Sequence, residues 1–347
     1  MSATGEASGP PGALLDAVAA QLGPRATRHA PLGSRTTYRV GGRAGVLVEA
    51  DHEDDLSAVH DALVSARVPI PLLVLGEGSN LLVADAGFPG IVVRLGAGFA
   101  WDEIAGTVVR AGGAQKLPVV ARRSAAAGLH GLEWGVGIPG SVGGALRMNA
   151  GGHGSDVAAV LSRFRLVDLG TGQGVEAGPG RLALGYRTSS LGAGEVVVWA
   201  EFSLQAGERA RAEKTVADIV AWRRANQPGG SNAGSVFVNP PGDSAGRLVE
   251  SAGLKGLRMG TAQVSTKHAN FIQADKGGLA DDVWRLVEHV RSEVAARTGV
   301  TLEPEVRMVG FPGPAPTVQP GAGPAQVVPA KPSTSTSTST STGGTGS

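Results

Sequence analysis

Cysteine is absent from the 347 residues, which excludes disulfides, thiolate metal sites and a cysteine nucleophile. Aromatic residues are scarce at 4%, with two tyrosines in all, so Val, Leu, Ile and Ala must fill the cores that a 42% hydrophobic content allows. No charge sign dominates either: 31 basic against 30 acidic residues give a formal net charge of +1, and no global basic field argues for nucleic acid. No run approaches the roughly 18 apolar residues of a membrane span, and the N-terminus lacks a basic segment followed by a long apolar core. His29, His52, His60, His130, His153 and His289 have no metal spacing and read as surface or loop residues. We expect a cytoplasmic monomer that binds small molecules, with no nucleic-acid partner, no membrane partner and no metal.

Glycine, by contrast, is abundant at 54 residues, enough for many tight turns and several close approaches of backbone to a ligand. The length favours two or three domains. Apolar runs at 71–75, 91–95, 196–204 and 271–274 read as buried strands. Helical periodicity marks 54–66, 214–226 and 281–297, where Val283, Leu286, Val287, Val290 and Val294 form one stripe. A short helix is expected within 242–253, stopped by Gly253, and another around Leu14, Leu15, Val18 and Leu22. The mixture implies an α+β protein with a boundary in the charged stretch 206–212. The first residues are small and polar. From Pro312 the chain is rich in Pro and Gly and ends in a Ser-Thr alternation, a composition that favours disorder.

Two loops concentrate the glycines. LGEGSNLLV, residues 75–83, follows a strand; it reads either as a simple β-turn or as a cradle whose N–H groups converge on phosphate oxygens. It is neither a P-loop nor a Rossmann fingerprint. GLEWGVGIPGSVGGALRMNAGGHGSDV, residues 131–157, holds nine glycines between Gly131 and Gly154. A purely structural loop rarely needs so many, whereas close approach to a large planar or diphosphate-bearing cofactor does.

These loops, with TTYRVGGRA upstream at 36–44 and LGYRTSS, SNAGSVFVNP, AQVSTKHANFI and LEPEVRMVG following in order, resemble the UDP-N-acetylenolpyruvoylglucosamine reductases. The resemblance spans residues 31–310. It implies a vanillyl-alcohol-oxidase-type FAD-binding domain at 31–208, then a smaller α/β substrate-binding domain at 209–310, flanked by a partly disordered segment 1–30 and a disordered tail 311–347. It further implies an NADPH-dependent flavoenzyme of peptidoglycan precursor synthesis that reduces an enolpyruvyl UDP-sugar. The residues it assigns to FAD are Gly76, Glu77, Gly78, Ser79, Asn80, Leu81, Gly137, Ile138, Pro139, Gly140, Ser141, Gly144, Asn149, Ala150 and Gly151. Arg187, Ser235 and Glu305 would be catalytic: the arginine on the substrate carboxylate, the serine as proton donor, the glutamate hydrogen-bonding the developing acid. Tyr186, Asn239, Lys267 and His268 would meet the substrate, although His268 reads equally as a core histidine. Glu303 reads as structural.

Some members carry a long loop after the Tyr-Arg motif, bearing a tyrosine that closes over the nucleotide sugar. Here eight residues, TSSLGAGE, separate Arg187 from the next strand, which places the chain in a shorter-loop subclass. Val238 stands where many relatives have lysine, and Asn226 and Gln227 replace another lysine-bearing segment. Lys267, Lys255 or Arg258 would then meet the phosphates, whereas Arg223 and Arg224, which follow Trp222 on a helix, read either as attracting the UDP phosphates or as solvated. The rival reading is a flavin-dependent alcohol or sugar oxidase of the same superfamily, which predicts the glycine loops but not the Arg187, Ser235 and Glu305 set.

Overall fold

The computed structural model of the chain describes residues 12–312 and 317–318. Strands Ala44–Ala50, Ile70–Leu75 and Phe88–Leu95 run parallel, with Phe88–Leu95 central. Their near-continuous apolar character follows from burial on both faces, as parallel strands require. Ala26–Arg28 closes one edge antiparallel, and Thr317–Val318 closes the other. The crossover between the first two parallel strands is helix Glu53–Ala66, whose Leu56, Val59 and Leu63 are buried beneath it.

A second sheet is antiparallel throughout, in the order Gln173–Ala177, Leu161–Asp168, Glu195–Ser203, Val108–Gly112, Asp102–Ala105. One of its faces packs on the parallel sheet, Val196, Val198 and Trp199 meeting Val48, Ile91 and Val93 in one core. Helices Leu117–Ala126, Val142–Arg147 and Arg209–Asn226 cover the other, contributing Val120, Leu146 and Ile219 to a second core. The C-terminal part has its own core, where the stripe on helix Ala280–Thr298 packs against the three-stranded sheet Arg258–Met259, Ala262–Val264, Ile272–Ala274.

Three features of chain organisation bear on the expected divisions. Helix Arg209–Asn226 begins within the charged stretch 206–212. Its charges pair one helical turn apart, Arg209 with Glu213 at 2.8 Å and Lys214 with Asp218 at 2.7 Å, and its apolar side joins the core of the first half. The change of core therefore comes after Asn226. Residues 12–30 are no separate segment: Leu15, Val18 and Leu22 of helix Gly12–Leu22 are buried with Leu56 and Val59. The end of the chain departs from a disordered tail at Phe311, which stacks on Trp284 with ring centroids 5.5 Å apart, and at Thr317–Val318, which pairs with the parallel sheet. The disorder expected for 1–11, 313–316 and 319–347 lies outside the described residues.

The start of helix Glu53–Ala66 depends on Asp55, which is buried. Its carboxylate accepts the N–H groups of Asp51 at 2.9 Å and His52 at 3.0 Å and pairs with Arg25. Burial opposes its ionisation, but those two N–H groups and the Arg25 guanidinium outweigh it and hold the carboxyl below the usual aspartate range. A depressed folded-state pKa contributes stability that is complete above the unfolded value of about 3.9 and is lost as pH falls through the folded value. Asp55→Ala should therefore cost about 1–2 kcal/mol at neutral pH. In urea titrations the gap from the parent should close below the unfolded value; a gap independent of pH would contradict this.

Candidate active site

Every parallel strand hands its C-terminal end to the same region, and the glycine loop 76–80 leaves there between Ile70–Leu75 and Leu81–Val83. Gly78 is held at φ +61°, a conformation that favours glycine, and a Cβ there would run into the Arg35 carbonyl and stand 2.7 Å from Thr36 Cα. The segment 35–37 is thereby pressed against the loop, and the Thr37 N–H donates to the Gly78 carbonyl at 3.2 Å. The second loop meets the first: a Cβ on Gly76 would lie 2.6 Å from Ser141 Oγ, and one on Gly140 3.1 Å from Ser79 Oγ. Between the loops and the C-terminal part lies a cavity of 1110 Å³.

The C-terminal part reaches this cavity through one strand. Arg307–Val309 lies parallel to Leu81–Val83, Arg307 opposite Leu81. Asn80 fixes the register, its side-chain amide donating to the Glu305 carbonyl at 3.0 Å while its own carbonyl accepts the Arg307 N–H at 3.1 Å. Glu305 N–H in turn donates to the Val236 carbonyl at 2.8 Å, which brings Ser235 alongside. The buried Asn270 clamps the same turn, accepting from Phe237 N–H at 2.9 Å and donating to the Phe237 carbonyl at 2.8 Å.

Arg187 comes from the opposite wall. It sits in the tight turn Gly185 to Thr188 at φ +57°, a costly conformation for a residue with a side chain. The turn is braced from the second glycine loop: Asn149 donates to the Gly185 carbonyl at 2.9 Å, Arg147 to the Gly192 carbonyl at 2.8 Å, and Ser189 to the Arg147 carbonyl at 2.7 Å. So held, Arg187 Nε stands 3.2 Å from Glu305 Oε1, and its Nη2 donates to the Gly151 carbonyl at 2.8 Å. Burial pushes the Glu305 carboxyl above its ordinary range, and Arg187 pulls it part of the way back.

Arg187, Ser235 and Glu305 thus line one cavity with Gly76, Glu77, Gly78, Ser79, Asn80, Leu81, Gly137, Ile138, Pro139, Gly140, Ser141, Gly144, Ala150 and Gly151. Asn149 does not line it. It is buried at φ +38°, and its side chain is consumed by Gly185, Asp156 and Ala158, so it positions the Arg187 turn instead. The four residues expected at the substrate also stand outside the wall. Tyr186 is exposed, with the Arg187 guanidinium 5.3 Å from its ring centre. Asn239 accepts the Ala245 N–H at 3.0 Å at the start of helix Ala245–Ser251. Lys267 Nζ donates to the Arg224 carbonyl at 2.6 Å. His268 packs edge-on against Phe271 at 5.0 Å, close to Gly246, and burial lowers its pKa. Lys255 pairs with Glu250 at 2.9 Å, and Arg258 pairs with Asp275; each cation already has a carboxylate.

The cations in the wall are others. Arg147, Arg223 and Arg307 line the cavity, and none has a carboxylate within salt-bridge distance among the described residues. Burial lowers the pKa of Arg147 and Arg223; for Arg147 the neighbouring Arg307 adds to the shift and Glu195 opposes it. Arg223 is not solvated: its side chain crosses Gly137, where a Cβ would lie 2.8 Å from Arg223 Cδ. His153, read from sequence as a plain loop histidine, lines the cavity against Trp222. Arg147 and Arg307 lay inside quoted motifs without being assigned to the site; Arg223 was read from sequence as either a phosphate contact or a solvated residue.

This lining fits FAD. Loop glycines leave room where Cβ atoms would fill the cradle. The N–H groups of Glu77, Gly78 and Ser79 have no acceptor among the described residues, and unpaired arginines complement a diphosphate. The volume exceeds the roughly 300–1000 Å³ of ordinary ligand pockets, as a cofactor with a second ligand demands. No cluster of three or more metal-binding side chains occurs among the described residues, and no helix among them is long and apolar enough to cross a membrane.

Comparison with known proteins agrees with this geometry. A family model described as an FAD binding domain matches residues 44–178, and one described as the UDP-N-acetylenolpyruvoylglucosamine reductase C-terminal domain matches residues 226–309. The UDP-N-acetylenolpyruvoylglucosamine reductase 2 of Symbiobacterium thermophilum is 43% identical over 288 residues, covering 82% of this chain and 92% of that protein. The enzyme of Rubrobacter xylanophilus is 41% identical over 302 residues, covering 86% and 100%. The crystal structure of UDP-N-acetylenolpyruvylglucosamine reductase (MurB) from Thermus caldophilus superposes with a TM-score of 0.72 at 35% identity, over 81% of this chain and 98% of that one. Physcomitrella patens BBE-like 1 shares the fold at TM-score 0.50 and 13% identity, over 81% and 88%. With an FAD-binding domain followed by this C-terminal domain, and with relatives of that identity matched along most of its length, the chain belongs to the UDP-N-acetylenolpyruvoylglucosamine reductase family of FAD oxidoreductases.

Proposed function

We propose that the chain uses NADPH to reduce the enolpyruvyl ether of UDP-N-acetylenolpyruvoylglucosamine to the lactyl ether of UDP-N-acetylmuramate, a step of peptidoglycan precursor synthesis. The observation that carries this reading is the meeting of Arg187 and Glu305 at 3.2 Å in the wall that also holds Ser235 and both glycine loops. FAD bound against those loops supplies hydride chemistry that no side chain can. NADPH and the sugar nucleotide take turns in the same cavity, and residues 227–310 form the substrate side.

The reduction adds hydride at C3 of the vinyl group and a proton at C2, so the double bond becomes single while negative charge passes transiently onto the adjoining carboxylate. Arg187 receives that carboxylate. Of its five N–H donors, one serves Glu305 and one Gly151, and the others remain for the substrate. The guanidinium favours the charge as it grows. Glu305, whose burial keeps the proton on toward higher pH, donates a hydrogen bond to the same carboxylate. Ser235 delivers the proton to C2 and recovers one from water. Its turn is fixed by Asn270 and by Gly234 at φ +78°.

Ser235→Ala is expected to lower turnover by about 10²–10⁴-fold while NADPH still bleaches the flavin at the parent rate. Loss of bleaching would assign the serine to the cofactor. Because the Glu305 carboxyl is raised, its donating form is depleted as pH rises through that value, so kcat should fall along a one-proton alkaline limb. Glu305→Gln, which cannot titrate, should lose the limb together with roughly 10²–10³-fold of rate. An unchanged limb in that variant would remove Glu305 from the role.

A further inference from the structure

Aromatic side chains are few in this chain and, among the described residues, only Tyr186 and Trp222 are exposed. Trp222 lines the cavity, whereas Tyr186 stands outside it with its ring against Arg187. Leaving an indole 48% exposed sacrifices the burial that usually keeps tryptophan inward, unless a ligand covers it. The ring is also fixed. His153 meets it at 87° with centroids 5.1 Å apart, which sets the plane of the indole while leaving about half its surface open.

The next residue along the helix is Arg223, a half-buried cation of the same wall with no carboxylate partner among the described residues. A flat apolar face beside an unpaired guanidinium matches one class of ligand, a planar nitrogen heterocycle carrying phosphates. The ring gains by stacking on the indole and the phosphates by charge-assisted hydrogen bonds. The Arg187 loop, eight residues from there to the following strand, contributes no aromatic group of its own beyond Tyr186.

We infer that Trp222, held by His153, is the stacking platform for the heterocycle of a nucleotide that enters after FAD, and that Arg223 beside it takes that nucleotide's phosphates. This deepens the proposed function and rests on it. Two ligands of that reading offer the chemistry, the uracil of the sugar nucleotide and the nicotinamide dinucleotide, and the test separates them.

Isothermal titration calorimetry of the purified full chain with its flavin, using UDP in one series and NADP⁺ in another, measures both. Trp222→Ala should raise Kd about tenfold for at least one probe, in keeping with the worth of a base–aromatic stack, with flavin content per chain unchanged. The weakened probe identifies the ring. Trp222→Phe should stay within about threefold of the parent, because any aromatic face serves. Kd values for both probes within twofold of the parent in Trp222→Ala would overturn the inference. So would loss of flavin from that variant, or equal weakening by Phe and Ala. A parent chain that binds neither probe would sink the functional reading itself, and the subsite with it.

Discussion

The site depends on a short parallel pairing between the two ends of the folded chain. Arg307–Val309 lies beside Leu81–Val83, and Asn80 ties the Glu305 and Arg307 backbone to the first glycine loop. That pairing sets Glu305 and, through the Val236 carbonyl, Ser235 against the first glycine loop, while Asp85, accepting the Ala280 and Asp281 N–H groups, holds the same two parts together. With it, a residue 225 positions from Asn80 in sequence is held within hydrogen-bond distance. Such a contact is entropically expensive to close, and the packing of Val309 among Leu81, Val83 and Phe88 offsets part of that cost.

Around this junction the cavity is built by opposed strategies. One side removes side chains: glycines at 76, 78, 137, 140 and 144 line the cavity without Cβ atoms. The other imports charge and strains for it. Arg187 accepts a left-handed backbone so that its guanidinium reaches Glu305, and Asn149, Arg147 and Ser189 hold the turn in place. Arg147, Arg223 and Arg307 add positive charge, with no carboxylate in salt-bridge contact among the described residues. A nearly neutral chain thereby presents a locally cationic cavity to multiply anionic ligands, a distribution that net charge conceals.

Much of this was legible in the sequence where the cause is local. Parallel strands announce themselves as unbroken apolar runs, and helix Ala280–Thr298 as a valine and leucine stripe, because those patterns follow from burial of one element. Glycine loops are legible because the absence of a side chain is itself the signal. What the sequence left open has a common physical origin. Asn149, Asn239, Lys267 and His268 sit in or beside motifs, but adjacency in sequence does not say whether a side chain faces the ligand or holds the backbone that does, and here each holds backbone or packs inside. For Arg223 the sequence left phosphate contact and solvation both open, since only the docking of helix Arg209–Asn226 on the first half carries it over Gly137 and brings Trp222 against His153. At 206–212 the strand gives way to a helix as composition suggested, but that the apolar side of this helix packs on the first half is set by docking that composition does not reveal.

The central claim is that cofactor and substrate share one cavity in which groups from both halves converge on the enolpyruvyl carbon atoms. A crystal structure of the oxidised, flavin-loaded chain with the enolpyruvyl sugar nucleotide, without NADPH so that no turnover occurs, tests it most directly. The account predicts Arg187 on the substrate carboxylate, with Ser235 Oγ and the Glu305 carboxyl on the face of the enolpyruvyl group opposite the flavin ring. An enolpyruvyl group seated away from these three residues, or a Ser235 hydroxyl turned from C2, would contradict it.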